Sequence, residues 1–314
     1  MLDLRRLQIL HEFAARGTIA ATAAALGYTP SAVSQQLAAL ERETGTQLLD
    51  RTARSAELTD AGRLLLGHAE QILAMVEAAE SVLAAQTGAP RGRVTVTAFP
   101  TAAVAFAPSL ARSLRVHEGM QLVLRQTTEG SGTRQVRTAE ADISLVDDWS
   151  GRVPDSAAGT LRHYPLLRDP LVLAVPEGHR LADPSVPVDL ADLLDESWVT
   201  APTGEPSRAA IDRLLGDVGG APGAVWEFEG IGTILSLVGR GLGIAAVPAL
   251  SFASASPGLV HRRLPNAPVR KIYAVVRATS VRRPAIEVTL EALVEAARDV
   301  RRTLAAELGE ALVD

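Results

Sequence analysis

The spacing of apolar residues along the chain changes near residue 90. Between residues 4 and 86 they recur every three or four positions, which is typical of amphipathic helices. From residue 93 onward, short β-branched runs alternate with helical stretches, which predicts strands joined by crossover helices. The pattern therefore predicts a helical N-terminal region followed by a larger α/β region.

Two short helices joined by a tight turn are predicted between residues 19 and 40. Residues 19–26 are alanine-rich, and Gly27 can take the positive φ that ends a helix. Thr29 can cap the next helix, and Pro30 suits its first turn. The buried face of that second helix is formed by Val33, Leu37 and Leu40. The pattern favours a DNA-binding helix-turn-helix, with an ordinary helical hairpin as the alternative.

The flanking segments favour the DNA-binding interpretation. An apolar stripe at Leu4, Leu7, Leu10 and Ala14 predicts a covering helix, and residues 47–58 predict a short strand-turn-strand, or wing, with two arginines. Hydroxyls and amides on the second helix can bond to base edges, and wing arginines can contact phosphate or remain solvated. The predicted DNA-binding residues are Thr29, Ser31, Ser34, Gln35, Gln36, Arg51 and Arg54.

One long helix is predicted over residues 61–86, with Thr59 as its N-cap and Gly88 and Pro90 at its end. It spans on the order of 40 Å at ~1.5 Å per residue, enough to separate two DNA-binding modules. Its apolar positions alternate at spacings of four and three, as in a two-helix seam, although the same face could pack on its own domain. The predicted dimerisation residues are Leu65, Ala69, Ile72, Val76, Ala79 and Leu83.

The second region predicts two lobes with a cleft between them. Strands at 93–99, 121–126 and 142–146, with helices at 100–116 and 132–139, predict a βαβαβ unit and a mostly parallel sheet covered on both faces. After a crossing near 161–165, strand candidates follow at 171–175, 198–200, 225–229 and 244–247. A strand at 269–277 returns to the first lobe, and residues 284–308 form a closing helix.

Ligands in such sheets bind at the carboxyl ends of the strands. Two predicted helix starts, at Thr101 and Thr233, favour an anion such as a small carboxylate, although either threonine could simply cap its own helix. Asp147 and Asp148 could attract an amino group or be solvated loop acids, so an amino acid is also possible. The predicted effector-binding residues are Phe99, Pro100, Thr101, Thr128, Glu129, Asp147, Asp148, Thr200, Ala201, Ile231, Gly232 and Thr233.

Composition narrows the class of protein. The 314 residues include no cysteine, so disulfides and thiolate metal sites are excluded, and neither a secretory signal nor a membrane-length apolar run is present. We therefore expect a soluble cytoplasmic protein. The net charge is −5, and residues 1–58 hold six arginines against six acidic residues. Because phosphate contacts supply much of DNA affinity, such a module needs several copies on one site.

Enzymatic motifs are weak, and we expect no catalytic residue, metal or cofactor. His11-Glu12 begins like a zinc-protease motif, but residue 15 is alanine. Gly239, Gly241 and Gly243 follow a helix and precede a strand, the reverse of the order in a dinucleotide-binding loop. The six histidines are scattered without metal-ligand spacing.

The N-terminal residues resemble those of LysR-type transcriptional regulators. The similarity is carried by Leu4-Arg5, Ala21 to Ala25, Ser31 to Ser34, Leu40-Glu41, Gly45, Leu48 to Arg51 and Leu58 to Gly62. The remainder resembles the family's effector domain through its layout. The resemblance implies an α/β chain with a winged helix-turn-helix (1–58), a dimerisation linker helix (59–88) and a two-lobed domain (91–314) of periplasmic-binding-protein type 2. Lobe I would cover about 91–160 and 269–314, and lobe II about 165–264.

This resemblance implies a regulator whose binding to a pseudo-palindromic promoter site is modulated by a small molecule. Its expected partners are double-stranded DNA, a small effector, further copies of itself as a dimer or tetramer, and RNA polymerase as a possible contact, with no membrane partner. Two alternatives remain from the residues alone: a constitutive architectural DNA-binding protein and a cytoplasmic solute-binding protein.

Overall fold

A computed structural model of the chain describes residues 1–51, 56–127, 130–150, 159–223, 225–254 and 258–308. The N-terminal domain packs three helices and a two-stranded wing around one apolar core that includes Leu10, Val33 and Leu40. Its elements are α1 (Leu4–Arg16), α2 (Ile19–Leu26), α3 (Pro30–Thr44), β1 (Leu49–Arg51) and β2 (Ala56–Leu58). The predicted winged helix-turn-helix is confirmed. Leu4, however, is 45% exposed and does not join the core.

The predicted long helix is also confirmed, as α4 (Asp60–Thr87). Thr59 caps it, since its Oγ1 accepts from the N–H of Gly62 at 3.0 Å. The hydroxyl of Thr59 in turn donates to the carbonyl of Gln47 at 2.8 Å, which joins the helix to the base of the wing. The start of α4 is therefore held against the N-terminal domain.

Lobe I of the second domain contains the predicted βαβαβ unit. Its elements are β3 (Gly92–Ala98), α5 (Pro100–Leu114), β4 (Met120–Gln126), α6 (Gly132–Arg137) and β5 (Ile143–Asp148). Strand β3 pairs in parallel with both β4 and β5. The remaining members of this lobe are β11 (Val269–Arg277) and α9 (Pro284–Leu308), with the predicted boundaries.

The link between the lobes differs from the prediction. A single strand, β6 (Leu161–Pro176), pairs with β11 through residues 161–170 and enters lobe II through residues 171–176. The first crossing therefore lies near Pro170 and not at 161–165. The parallel pairing predicted for the βαβαβ unit is confirmed. The sheet as a whole is mixed, because β11 is antiparallel to both β5 and β6.

Lobe II has its own apolar core around Trp198, Leu193 and Leu215. Its elements are β7 (Trp198–Thr200), α7 (Pro206–Gly216), β8 (Val225–Glu227), α8 (Ile231–Gly239), β9 (Ala245–Pro248) and β10 (Leu259–Arg263). Strands β9 and β10 both pair with β6 in antiparallel orientation. Strand β10 was not predicted. Across the described residues, no helix combines the length and apolarity that crossing a membrane requires.

Candidate functional site

The turn between α2 and α3 has the geometry that the sequence predicts. Gly27 adopts φ 70°, in the left-handed region, and ends α2. The Oγ1 of Thr29 accepts from the N–H of Ala32 at 3.2 Å and so caps α3. Helix α3 therefore begins sharply, with the cap and Ser31 exposed at its N-terminus.

The outward face of α3 is polar and lies opposite its buried residues. Ser31, Gln35 and Arg42 are exposed and fall at spacings of four and seven, on the side away from the domain core. Arg42 was missed in the sequence analysis, although its spacing from Gln35 signals the shared face. A hydroxyl, an amide and a guanidinium on one helix face are groups that can bond to base edges and phosphates.

Two predicted DNA-binding residues lie away from this face. The Oε1 of Gln36 accepts from Nε of Arg6 at 3.0 Å, and Arg6 also pairs with Glu43. Gln36 is thus oriented toward α1, which corrects its expected place on the DNA face. Ser34 is half-buried, on the opposite flank of the helix from Gln36.

The wing is anchored to α3 by one carboxylate. The Oε1 of Glu41 accepts from the N–H groups of Leu48 and Leu49 at 2.9 and 3.0 Å. Arg51 lies in β1 opposite Ala56, and Arg54 lies outside the described residues. A shift of α3 would therefore also displace the wing.

The predicted seam of α4 is packed in part within the chain. Ala69 is fully buried in the N-terminal core, and Leu65 and Ile72 pack against the same core. Ala69 therefore stabilises its own domain, which corrects its expected place in a dimer seam, whereas Leu65 and Ile72 are half-buried. Val76 is half-buried, whereas Ala79 and Leu83 are exposed.

An exposed apolar stripe lies beside the predicted seam on α4. Leu64, Met75 and Val82 are 68%, 71% and 48% exposed, and their spacings of eleven and seven align them on one helix face together with Ala79. Ala79 belongs to the predicted seam, whereas Leu64, Met75 and Val82 each lie one residue before a predicted seam position. Exposed apolar side chains along one face are suited to a partner helix.

Arg270, which was not predicted, lies among the residues expected to line the cleft. It lies near the start of β11 and is 3% exposed. Its Nε donates to Asp169 Oδ2 at 2.7 Å, and its Nη2 donates to Thr101 Oγ1 at 2.8 Å. The Oδ1 of Asp169 accepts from the N–H of Leu250 at 2.9 Å. Burial raises the pKa of Asp169, while the charge of Arg270 and this N–H oppose the shift.

Predicted residues from three elements converge on Arg270. The Nη1 of Arg270 lies 3.4 Å from Asp147 Oδ2, and its guanidinium carbon lies 4.9 Å from the ring centroid of Phe99 and 5.9 Å from that of Trp149. The hydroxyl of Thr101 faces Arg270, so capping of its own helix is not its role. The cluster thus joins a buried cation to two aromatic rings and a carboxylate that is 26% exposed.

Asp147 and Asp148 lie on opposite faces of β5, because successive residues of a strand alternate. Asp147 faces Arg270, whereas Asp148 shares the other face with Tyr273, whose pKa is raised by burial and by the charge of Asp148. The Oδ1 of Asp148 accepts from the N–H and the hydroxyl of Ser150 at 2.9 and 2.7 Å. Asp148 therefore lies outside the cleft, which corrects its predicted place there.

Of the effector-binding residues predicted in lobe II, Thr200 faces its own lobe and not the cleft. Thr200 is 1% exposed, and its Oγ1 accepts from Nη1 of Arg208 at 3.0 Å, so its hydroxyl serves lobe II itself. Arg208 also pairs with Asp212 and Glu227 at 2.8 and 3.0 Å. This corrects the expectation that Thr200 faces a ligand. Ala201, half-buried, follows it at the end of β7.

The start of α8 is open to solvent. Gly230 precedes the helix at φ 84°, and no side chain caps it. Gly232 and Thr233 are exposed, whereas Ile231 packs on the core. In lobe I Pro100 is exposed as the first residue of α5, and Thr128 and Glu129 lie outside the described residues. Among the described residues no cluster of three metal-ligating side chains is found.

Comparison with known proteins matches both regions of the chain. The family model described as "Bacterial regulatory helix-turn-helix protein, lysR family" matches residues 4–63, and "LysR substrate binding domain" matches residues 87–298. The probable transcriptional regulator LrrA of Synechococcus elongatus is 26% identical, covering 96% of this chain and 100% of its own. The transcriptional regulator CbbR of Xanthobacter flavus is 29% identical, covering 89% and 83%.

Solved structures share the fold over nearly the whole chain. A full-length OxyR variant from Pseudomonas aeruginosa has a TM-score of 0.69 at 21% identity, covering 93% of this chain and 95% of its own. Full-length CbnR in complex with its target DNA has a TM-score of 0.53 at 23% identity, covering 94% and 100%.

Proposed function

The chain belongs to the LysR family of transcriptional regulators, and from that premise we propose which of its surfaces bind DNA, a second copy and the effector. The regulator binds DNA, and the N-terminus of α3 enters the major groove. Ser31 and Gln35 contact base edges there, Thr29 lies beside them, and Arg51 in the wing contacts phosphate. The polar outward face of α3, opposite a fully apolar inner face, is the observation that carries this assignment.

Two features support dimerisation: the balanced charge of the N-terminal residues and an exposed apolar face on the linker helix. The balanced charge of residues 1–58 gives one module few phosphate contacts, so two modules on one site are needed for tight binding. We place the contact between copies on the exposed face of α4 formed by Leu64, Met75, Ala79 and Val82. Leu83, also exposed, borders this face, and two such dimers would assemble as a tetramer.

The effector is an amino acid or a similar small molecule with both a carboxylate and an amino group. Arg270 and Asp169 neutralise each other, which leaves the carboxylate of Asp147 as the exposed charge of the cluster. That carboxylate attracts an amino group. The uncapped N-terminus of α5 beside Thr101 attracts a carboxylate. The protein acts by binding in the cytoplasm and not by catalysis.

A DNA-binding titration tests the first assignment. Full-length protein is titrated against labelled duplex from upstream of its own coding region, with and without Arg51→Ala, at fixed salt. Sequence-selective binding that Arg51→Ala weakens supports the proposal. Binding of equal strength to any duplex would support an architectural protein instead.

A thermal-shift screen tests the effector class. Full-length protein is heated with a panel of amino acids, amines and carboxylic acids, because a ligand that binds the folded state raises the unfolding temperature. We expect a selective shift with one amino acid and its loss in Asp147→Asn. A shift with carboxylic acids alone, unchanged in Asp147→Asn, would contradict the assigned amino-group contact.

A further inference from the structure

The N-terminal domain contacts lobe I through a carboxylate that belongs to the effector domain. Arg16, the last residue of α1, lies 3.6 Å from Glu140 Oε2 through its Nη2. Its Nε is also held by Glu12 Oε2 at 2.9 Å. Arg134 of α6 approaches the same Glu140 oxygen at 3.6 Å. Glu140 thus joins one arginine of each domain, and the Arg16 and Glu140 side chains are each only 24% exposed.

The turn that presents Glu140 is fixed from both ends. Ala139 adopts φ 58°, a conformation that residues other than glycine rarely take. Arg277, at the end of β11, donates through Nη1 to the carbonyls of Val136 and Ala141, at 2.6 and 2.9 Å. The guanidinium therefore clamps the residues on either side of the turn and holds Glu140 toward α1.

Two further observations place the N-terminal domain beside this end of lobe I. Burial lowers the pKa of His11 on α1, the charge of Arg277 lowers it further, and Glu70 and Glu12 oppose the shift. In addition, Val82 near the end of α4 lines a cavity of about 640 Å³ together with Arg162 and Tyr164 of β6. Helices α1 and α4 thus both approach lobe I.

Helix α6 connects this contact to the loop at the cleft. The hydroxyl of Thr127, which follows β4, lies 2.8 Å from Ser131 Oγ and donates to Gln135 Oε1 at 2.9 Å. The N–H of Thr127 donates to the carbonyl of Ala98 at the end of β3. Helix α6 thus begins beside Thr127, at the end of β4, and ends three residues before Glu140.

We propose that Glu140 is a latch by which lobe I holds its own DNA-binding domain, fixing the orientation of α3 relative to the effector domain. The latch is electrostatic. It therefore depends on the opposite charges of Arg16 and Glu140, and reversing the charge of either side chain releases it.

The absence of cysteine from the chain permits a direct test by spin labelling. Labels are attached to Gln8→Cys on α1 and Arg137→Cys on α6, both exposed positions, in full-length protein diluted with unlabelled chain so that only distances within one chain are measured. Pulsed electron resonance without DNA then reports how well the orientation is fixed. DNA binding does not enter the measurement, so failure of the latch is distinguishable from failure of the proposed operator contacts.

The latch predicts one narrow distance in the parent and a broad distribution in Glu140→Arg and in Arg16→Glu. Glu118→Arg, an exposed acidic position of lobe I, is the matched control and leaves the distance narrow. A broad distribution in the parent, or single variants as narrow as the parent, would overturn the proposal. Circular dichroism confirms that each variant is folded.

Discussion

The close approach of α4 to the base of the wing makes Gly62 a sensitive position. A Cβ added at Gly62 would lie 2.2 Å from the carbonyl oxygen of Leu48 and 3.1 Å from Cδ2 of Leu58. The Leu48 backbone cannot easily move, because its N–H is bonded to Glu41 and its carbonyl accepts from the N–H of Thr59 at 2.9 Å. Gly62→Ala must therefore separate the helix from the wing.

The size of the effect follows from two opposing terms. Forcing one extra carbon into a packed contact costs about 1–3 kcal/mol, whereas alanine in a helix gains up to about 1 kcal/mol over glycine. Gly67, in the same helix, has no atom within 4 Å of an added Cβ. Gly67→Ala is thus the matched control. It adds only the higher helix propensity of alanine, which should raise the free energy of unfolding by about 0.5–1 kcal/mol.

Urea unfolding followed by circular dichroism measures both variants, and fluorescence anisotropy measures their affinity for operator DNA. We expect Gly62→Ala to be less stable than the parent and to bind DNA more weakly, because the wing is displaced. We expect Gly67→Ala to be slightly more stable, with unchanged affinity. If Gly62→Ala proved as stable as Gly67→Ala and bound DNA normally, the reasoning from the contact at Leu48 would be refuted.

Three further predictions concern single side chains. Arg270→Ala leaves the buried carboxylate of Asp169 unpaired and should lower the free energy of unfolding by about 3–5 kcal/mol, whereas exposed Arg263→Ala should change it by less than about 0.5 kcal/mol in urea titrations. The lowered pKa of His11 means that the unfolded chain takes up its proton first as pH falls below about 6.5. The free energy of unfolding should therefore decrease as pH falls from about 6.5 through the lower pKa that His11 has in the folded state. His11→Gln should make the free energy of unfolding depend less on pH in this range. An equally steep dependence in His11→Gln would contradict the prediction. Thr29→Ala removes the cap of α3 and should lower the free energy of unfolding by about 0.5–2 kcal/mol in thermal unfolding. If the variant were as stable as the parent, Thr29 would not be a stabilising cap.

Local signals explain why the N-terminal elements could be predicted so closely. Gly27 and Thr29 end one helix and start the next by their own backbone and side-chain chemistry, so no distant residue is needed. Strand β6 shows the opposite case. Pro165 and Pro170 suggest interruption, yet the strand continues, with a register shift at β11 near Pro165. Only the pairing partner, far away in sequence, reveals this continuity.

The cleft shows where prediction from sequence ends. The rule that ligands bind at the carboxyl ends of strands pointed to Phe99, Thr101 and Asp147, and the structure brings these three together around Arg270, because the rule depends on topology. Arg270 could not be found in the same way, since its burial depends on an ion pair with Asp169, 101 residues earlier in the chain. The seam of the linker helix shows a related limit: heptad spacing defines a face, but only packing shows that Ala69 on that face is covered by its own domain.

The base contacts of α3 are the central claim, and one binding measurement tests them most directly. Anisotropy titrations compare full-length parent, Gln35→Ala and the exposed lobe I control Gln121→Ala on the same operator duplex at fixed salt. Loss of a base contact costs about 1–3 kcal/mol, so Gln35→Ala should bind on the order of tenfold more weakly, while Gln121→Ala binds as the parent does. Equal affinity of all three proteins for the operator would contradict the placement of α3 in the major groove.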